Sequence, residues 1–192
     1  MIRRRRAAES EKTARRERGG VDIAEGCNIV CGGEPRRAER KHRMKTECRT
    51  TVERNRETMR KFETCINTND LALGEELISA SAAFMTPVSP VPLYGAKGYL
   101  SVVDFMRRSF PDVQWKLENM VADETTVAVQ WRCSGTFSGE APFGGIRPNG
   151  RRFSTTVMNF YTFDAEGKIA GDVAAAGLAG ILQGIGVLPS HD

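Results

Sequence analysis

The hydrophobic period of this chain changes at Pro111, and that change restricts the fold more than any other feature. Before it, Tyr99, Val102, Val103, Met106 and Phe110 recur at i, i+3, i+4, i+7 and i+11, opposite Asp104, Arg107 and Arg108. That is an amphipathic helix over 97–109. After it the period is two: Val113, Trp115, Leu117, Asn119 and Val121 alternate with Gln114, Lys116, Glu118 and Met120. Asp123-Glu124 turns the chain into a second strand, with Val127, Val129, Trp131 and Cys133 on one face and Ala128, Gln130, Arg132, Ser134 and Thr136 on the other. A Gly- and Pro-rich loop, 139–150, precedes a third strand, 151–163, and Asp164-Ala165-Glu166-Gly167 makes a hairpin turn into a fourth from Lys168. Strands joined this way form an antiparallel meander, and helices must cover one of its faces.

The elements on either side supply the cover. Met59, Phe62 and Ile66 mark a helix from Thr51 onward, and Asn67-Thr68-Asn69-Asp70 is turn and cap chemistry. A second helix starts near Asp70, with Leu73, Leu77 and Ala80 on its inner face. Phe84-Met85-Thr86 is a short apolar strand, ended by the extended loop that Pro87, Pro90 and Pro92 impose. Leu178, Ile181, Leu182 and Ile185 give a short terminal helix over 178–186. The fold class is therefore α+β: a curved antiparallel sheet of four long strands and one short one, packed by three N-terminal helices, with a short C-terminal helix. Three helices over such a sheet leave room for a ligand pocket.

Charge divides the chain into an extension, 1–50, and a domain, 51–189. Residues 1–61 carry 19 Lys and Arg against 10 Asp and Glu, a net of +9, while the remainder carries a net of −5. Arg3-Arg4-Arg5-Arg6, Arg15-Arg16 and Arg36-Arg37 sit in a segment with few apolar residues and neither period, which predicts disorder or transient helix. This segment reads as a basic arm for an anionic partner such as nucleic acid, as a targeting peptide, or as an upstream extension of a reading frame that starts at Met44. Five scattered cysteines do not make a disulfide framework and predict reduced thiols in the cytoplasm. No apolar run is long enough to span a bilayer. Cys27-x-x-x-Cys31 has no second pair, so no metal is expected. The glycine spacing of 145–152 lacks the Lys and Ser/Thr of a phosphate loop.

Several short motifs add a resemblance. They are Phe84-Met85-Thr86-Pro87, Gly95-Ala96-Lys97-Gly98-Tyr99, Phe110-Pro111-Asp112-Val113-Gln114-Trp115 and Ser134-Gly135-Thr136-Phe137-Ser138-Gly139-Glu140. Pro148-Asn149-Gly150-Arg151-Arg152, Met158-Asn159-Phe160-Tyr161, Gly167-Lys168-Ile169 and Gly180-Ile181-Leu182-Gln183-Gly184-Ile185-Gly186 follow in order. Together, over 52–189, they resemble the SnoaL-like polyketide cyclase (ester cyclase) family. The resemblance implies the cone-shaped fold of nuclear-transport-factor-like proteins, a dimer or tetramer, and a pocket in the cone. It also implies cofactor-independent acid–base chemistry, such as aldol closure of a polyketide ester. The family's catalytic aspartate position falls at Gly177 of this chain, its Thr-His pair at Thr136-Phe137, and a further histidine at Asn159. His42 and His191 lie outside the domain core.

The chemistry needs a base in a desolvated pocket and a donor to the developing oxyanion. Asp172, between Gly171 and the run Ala174-Ala175-Ala176, is the candidate base; the alternative is a solvated residue beyond the hairpin turn. Gln130 and Arg132 are candidate carbonyl donors, or else part of an outer polar face or subunit interface. Trp115, Trp131 and Tyr161 either stack on a flat, largely apolar ligand or form plain core. Asn159 donates to a ligand carbonyl or satisfies a strand end, and Met85 makes the pocket mouth apolar. Two functions stay open: a cyclase or isomerase, and a non-catalytic ligand-binding or assembly module. A weakly charged outer sheet face predicts a homodimer.

Overall fold

Asn55, Thr58, Met59, Phe62, Cys65 and Ile66 recur at spacings of one or three residues, and all six are buried. In the computed structural model, which describes residues 37–86, 89, 91–175 and 177–189, they form the inner stripe of helix α1, Arg37–Thr68. The basic segment before Arg37, with Cys27 and Cys31, lies outside the described residues, as do Pro87, Pro90 and His191. The helix starts fourteen residues before Thr51, where the sequence pattern places its beginning. Residues 40–47 are exposed. Local terms are enough to form helix there: good helix formers, and an Arg43 Nε to Glu47 Oε1 contact of 2.9 Å one turn apart.

Asn69, at φ 54°, breaks α1, and the Asp70 carboxylate accepts from Leu73 N at 3.0 Å to cap α2, Leu71–Leu77. The helix ends there. Ile78 opens strand β1, Ile78–Phe84, so Ala80 belongs to a strand and is exposed rather than lying on a helix face. Strand β2, Leu93–Tyr94, and helix α3, Gly95–Ser109, follow. The meander is β3, Gln114–Ala122; β4, Thr126–Thr136; β5, Arg152–Phe163; and β6, Ile169–Ala175. Helix α4, Gly177–Gly184, closes the order.

The sheet has six strands in the order β2-β1-β6-β5-β4-β3. It is mixed rather than antiparallel throughout, because β1 pairs with β6 in parallel, with Ile78 opposite Ile169 and Phe84 opposite Asp172. A long crossover through β2, α3 and the strands β3, β4 and β5 makes that pairing possible, and local patterning does not encode it. The expected alternation along β3 also fails midway. The register shifts between Leu117 and Asn119, so Met120 and Ala122 turn inward while Asn119 and Val121 are exposed. The bulge lies on an edge strand whose outward N–H groups are met by α1. Trp115 N donates to Asn67 Oδ1 at 2.9 Å and Leu117 N to Glu63 Oε1 at 2.9 Å.

Two apolar clusters fill the space between layers. One gathers Phe62, Leu77, Phe84, Leu100, Val129 and Trp131 under the three N-terminal helices. The other packs Phe110, Phe137, Phe143, Phe153 and Ile185 between the end of α3, the β4–β5 loop and α4.

Candidate functional site

In β5 the odd-numbered residues from Phe153 onward face the core, so Val157, Asn159 and Tyr161 share one side of the strand. Strand β6 places Asp172 opposite Tyr161 and Ala174 opposite Asn159. Parallel β1 brings Phe84 against Asp172 from the other side. These residues open into a cavity of about 290 Å³ between α3, the inner sheet face and α4. Tyr99, Val102, Val103 and Met106 line it from α3, Trp115 and Trp131 from β3 and β4, and Leu178 and Ile181 from α4.

Asp172 is the only Asp, Glu, Lys, Arg or His among the described lining residues. It is half-buried, and Asn159 Nδ2 donates to its Oδ2 at 2.6 Å. Burial raises its pKa from the ordinary 3.8 to about 6, against the opposing pull of the Asn159 bond. The cavity also holds two phenols: the Tyr99 and Tyr161 hydroxyls lie 3.3 Å apart, and burial drives both well above the ordinary tyrosine range. The Cys133 thiol reaches the same cavity, but burial pushes it up to about 12, so it is not a nucleophile near neutral pH. Among the described residues no three His, Cys, Asp or Glu side chains converge on a metal position.

Of the residues singled out from the sequence, Asp172, Met85, Trp115, Trp131, Asn159 and Tyr161 all line this cavity. Met85 is also largely exposed, which puts it at the mouth. Gln130 and Arg132 do not line it. They lie on the opposite face of β4, where Glu118 accepts from Gln130 Nε2 at 3.2 Å and from Arg132 Nε at 3.0 Å. Strand parity decides this, since the buried residues of β4 are Val127, Val129, Trp131, Cys133 and Gly135. His42 sits on the exposed part of α1 and lines no part of the cavity.

Helix α4 reaches the cavity because glycines let it sit directly on β5. A methyl group at Gly177 would stand 2.6 Å from Val157 Cγ2, one at Gly180 2.0 Å from Thr155 Oγ1, and one at Gly184 2.5 Å from Phe153 Cβ. The spacing i, i+3, i+7 places all three on one helix face. The first of them stands where the resemblance expects the family's aspartate, and with Val157 so close a carboxylate side chain has no room there. Phe137, at the expected histidine, is fully buried in the second cluster, and Thr136 is bonded to Asp112 through both its N and Oγ1.

Sequence reasoning passed over Tyr99 as a site residue, because its helical period is that of plain core. The available signal was its hydroxyl, which at a core position needs a polar partner. Phe143, from the β4–β5 loop, also lines the cavity and carries no sequence signal of that role.

Residues 56–185 match the family model described as SnoaL-like polyketide cyclase. Among solved structures the chain is similar to TsrD from Streptomyces laurentii, at 20% identity and a TM-score of 0.61 over 71% of this chain and 97% of that one. It is similar to IdmH from Streptomyces antibioticus, a candidate polyketide cyclase, at 25% identity and a TM-score of 0.59 over 69% and 98%. AclR from Streptomyces galilaeus, a candidate hydroxylase, matches at 20% identity and 0.61 over 73% and 86%. No curated protein matches the chain.

Proposed function

We propose, for a chain that belongs to the SnoaL-like polyketide cyclase family, that it cyclises or isomerises a small, flat, uncharged enolisable molecule with Asp172 as general base. The observation that carries this reading is a carboxylate of pKa about 6, held by Asn159 at 2.6 Å, inside an aromatic cavity. Such a group is ionised at neutral pH yet basic enough to take a proton from carbon activated by carbonyls. Asp172 removes the C–H proton, and the electron pair moves onto the carbonyl oxygen as an enolate. The enolate carbon attacks a second carbonyl, and Asp172 returns its proton to the new alkoxide. Asn159 keeps the carboxylate pointed into the cavity throughout.

No Lys, Arg or His stands among the described lining residues, so a buried substrate carboxylate would face Asp172 without a counter-ion. Esters and ketones are therefore favoured over free acids. The test is a panel of aromatic β-keto esters beside their hydrolysed acids, followed by turnover and by melting-temperature shift. Turnover of esters, with the acids neither turned over nor bound, is the expected result. Acids bound as well as esters overturn it. A second reading, a ligand-binding module without chemistry, is favoured by one observation: Gly177 and Phe137 stand where the resemblance expects an aspartate and a histidine. Ester binding without turnover selects it.

The chain is also proposed to be a homodimer joined through the outer sheet face. There Val121, Ala128, Phe160 and Val173 stand side by side in register across β3, β4, β5 and β6. Val121 is 68% exposed, Phe160 54% and Val173 70%, with Met158 beside them at 44%. A contiguous apolar row of this kind is rare on a monomer surface. Sedimentation should give twice the 21.2 kDa chain mass, and Phe160→Glu should give monomer with the cavity intact. A monomeric parent chain at micromolar concentration contradicts the proposal. The cytoplasmic reading rests on Cys48, Cys65 and Cys133, all free thiols. No helix among the described residues is long and apolar enough to cross a membrane.

A further inference from the structure

Two phenol hydroxyls that share a bond leave one proton over. Tyr99 and Tyr161, 3.3 Å apart, have two O–H groups between them, and their mutual bond uses one whichever of them donates. Both residues line the cavity. The rings cannot swing away. Phe62 meets Tyr99 edge-on at 5.1 Å and Tyr161 at 5.5 Å, and Phe84 meets Tyr99 at 4.9 Å. Tyr161 is also the cross-strand neighbour of Asp172, which places the two side chains on the same face within about 5 Å at Cβ. One of the two N–H donors of the Asn159 amide is committed to Asp172.

We propose that the Tyr99–Tyr161 hydroxyl pair is the oxyanion donor of this site, hydrogen-bonding the carbonyl oxygen beside the carbon that Asp172 deprotonates. The proposal rests on the general-base reading above and names a group for the other half of the reaction. As the C–H electron pair moves into the carbonyl, the oxygen gains charge and the remaining O–H of the pair shortens its bond to it. No proton leaves either phenol, because both are held above their ordinary range by burial and by the charge of Asp172. A rigid neutral donor in an apolar cavity stabilises the enolate without reorganising during the reaction. A pair outperforms a single phenol because the first hydroxyl polarises the second.

The test uses the full chain carrying Asp172→Asn, which places a neutral group where the base would hold its new proton. The probe is 4-nitrophenol, whose absorbance separates phenol from phenolate; 4-nitroanisole, which lacks the hydroxyl, controls for the integrity of the cavity. Asp172→Asn should bind the phenolate in preference to the phenol. Adding Tyr161→Phe should weaken phenolate binding by about 10-fold or more, with 4-nitroanisole binding unchanged. Tyr99→Phe should produce a smaller loss in the same direction. Phenolate binding that is indifferent to both tyrosines overturns the proposal, and so does an Asp172→Asn chain with both tyrosines intact that binds 4-nitroanisole but no phenolate. Because Asp172 is absent from every arm, these outcomes are independent of whether it is the base. Failure of the ester panel would overturn the general-base reading alone.

Discussion

Asp172→Asn should lower turnover of an accepted ester by about 10²–10⁴-fold while raising the melting temperature near neutral pH by a few degrees. The two effects have one origin. The native carboxyl has its pKa raised to about 6 because burial penalises its charged form. Between the ordinary 3.8 and about 6, the folded chain keeps a proton that the unfolded chain has lost. Stability therefore falls as pH rises through that window and stays lowered above it. The amide variant carries no charge to bury and can still accept from Asn159. Its melting advantage should be clear at pH 7.5 and vanish near pH 4, which calorimetry at the two pH values checks. In the parent protein, kcat/KM should rise with pH through about 6 as the base ionises. A variant with full activity, or one less stable than the parent at pH 7.5, would remove Asp172 from this role. Stability given up for a charged group in an apolar cavity is a common trade at working sites.

The second large effect is on the fold. Phe110 is fully buried and touches three other rings, Phe137 at 5.2 Å, Phe143 at 5.1 Å and Phe153 at 5.0 Å. Phe110→Ala should cost about 3–5 kcal/mol, combining lost transfer energy with the cavity left behind. For a chain of this size that lowers the melting point by roughly 10 °C, and the urea midpoint should fall with its slope unchanged. Phe143 also lines the ligand cavity, so losing its support should weaken ester binding in the fraction that remains folded. A shift of only a degree or two would mean that the second cluster is not packed as described.

Where the alternation of β4 puts Val127, Val129, Trp131 and Cys133 inside, it also puts Arg132 outside, and period two in the sequence is sufficient to know both. The bulge in β3 was not legible. It depends on α1 side chains meeting the outward N–H groups of an edge strand, and Glu63 and Asn67 lie some fifty residues earlier. The upstream reach of α1 was also missed, since a solvated helix has no apolar stripe to announce it.

Hydrophobic period in the sequence was enough for the order of the long helices and the four meander strands and for the inward face of β4, but not for β2 or for Ala80, Asn119 and Val121, which it turned inward and which are exposed. Hydrophobic period is a local property. Tertiary structure alone decided which polar atoms meet. Tyr99 and Tyr161 are 62 residues apart, and Asp172 joins them only because β6 is clasped between β5 and a parallel β1. The glycines of α4 show the same division. Their spacing is visible in the sequence, but that they seat the helix on Phe153, Thr155 and Val157, excluding a side chain at Gly177, follows from a contact between segments. A site of this kind is made of distances between elements, and periodicity within each element carries no information about them.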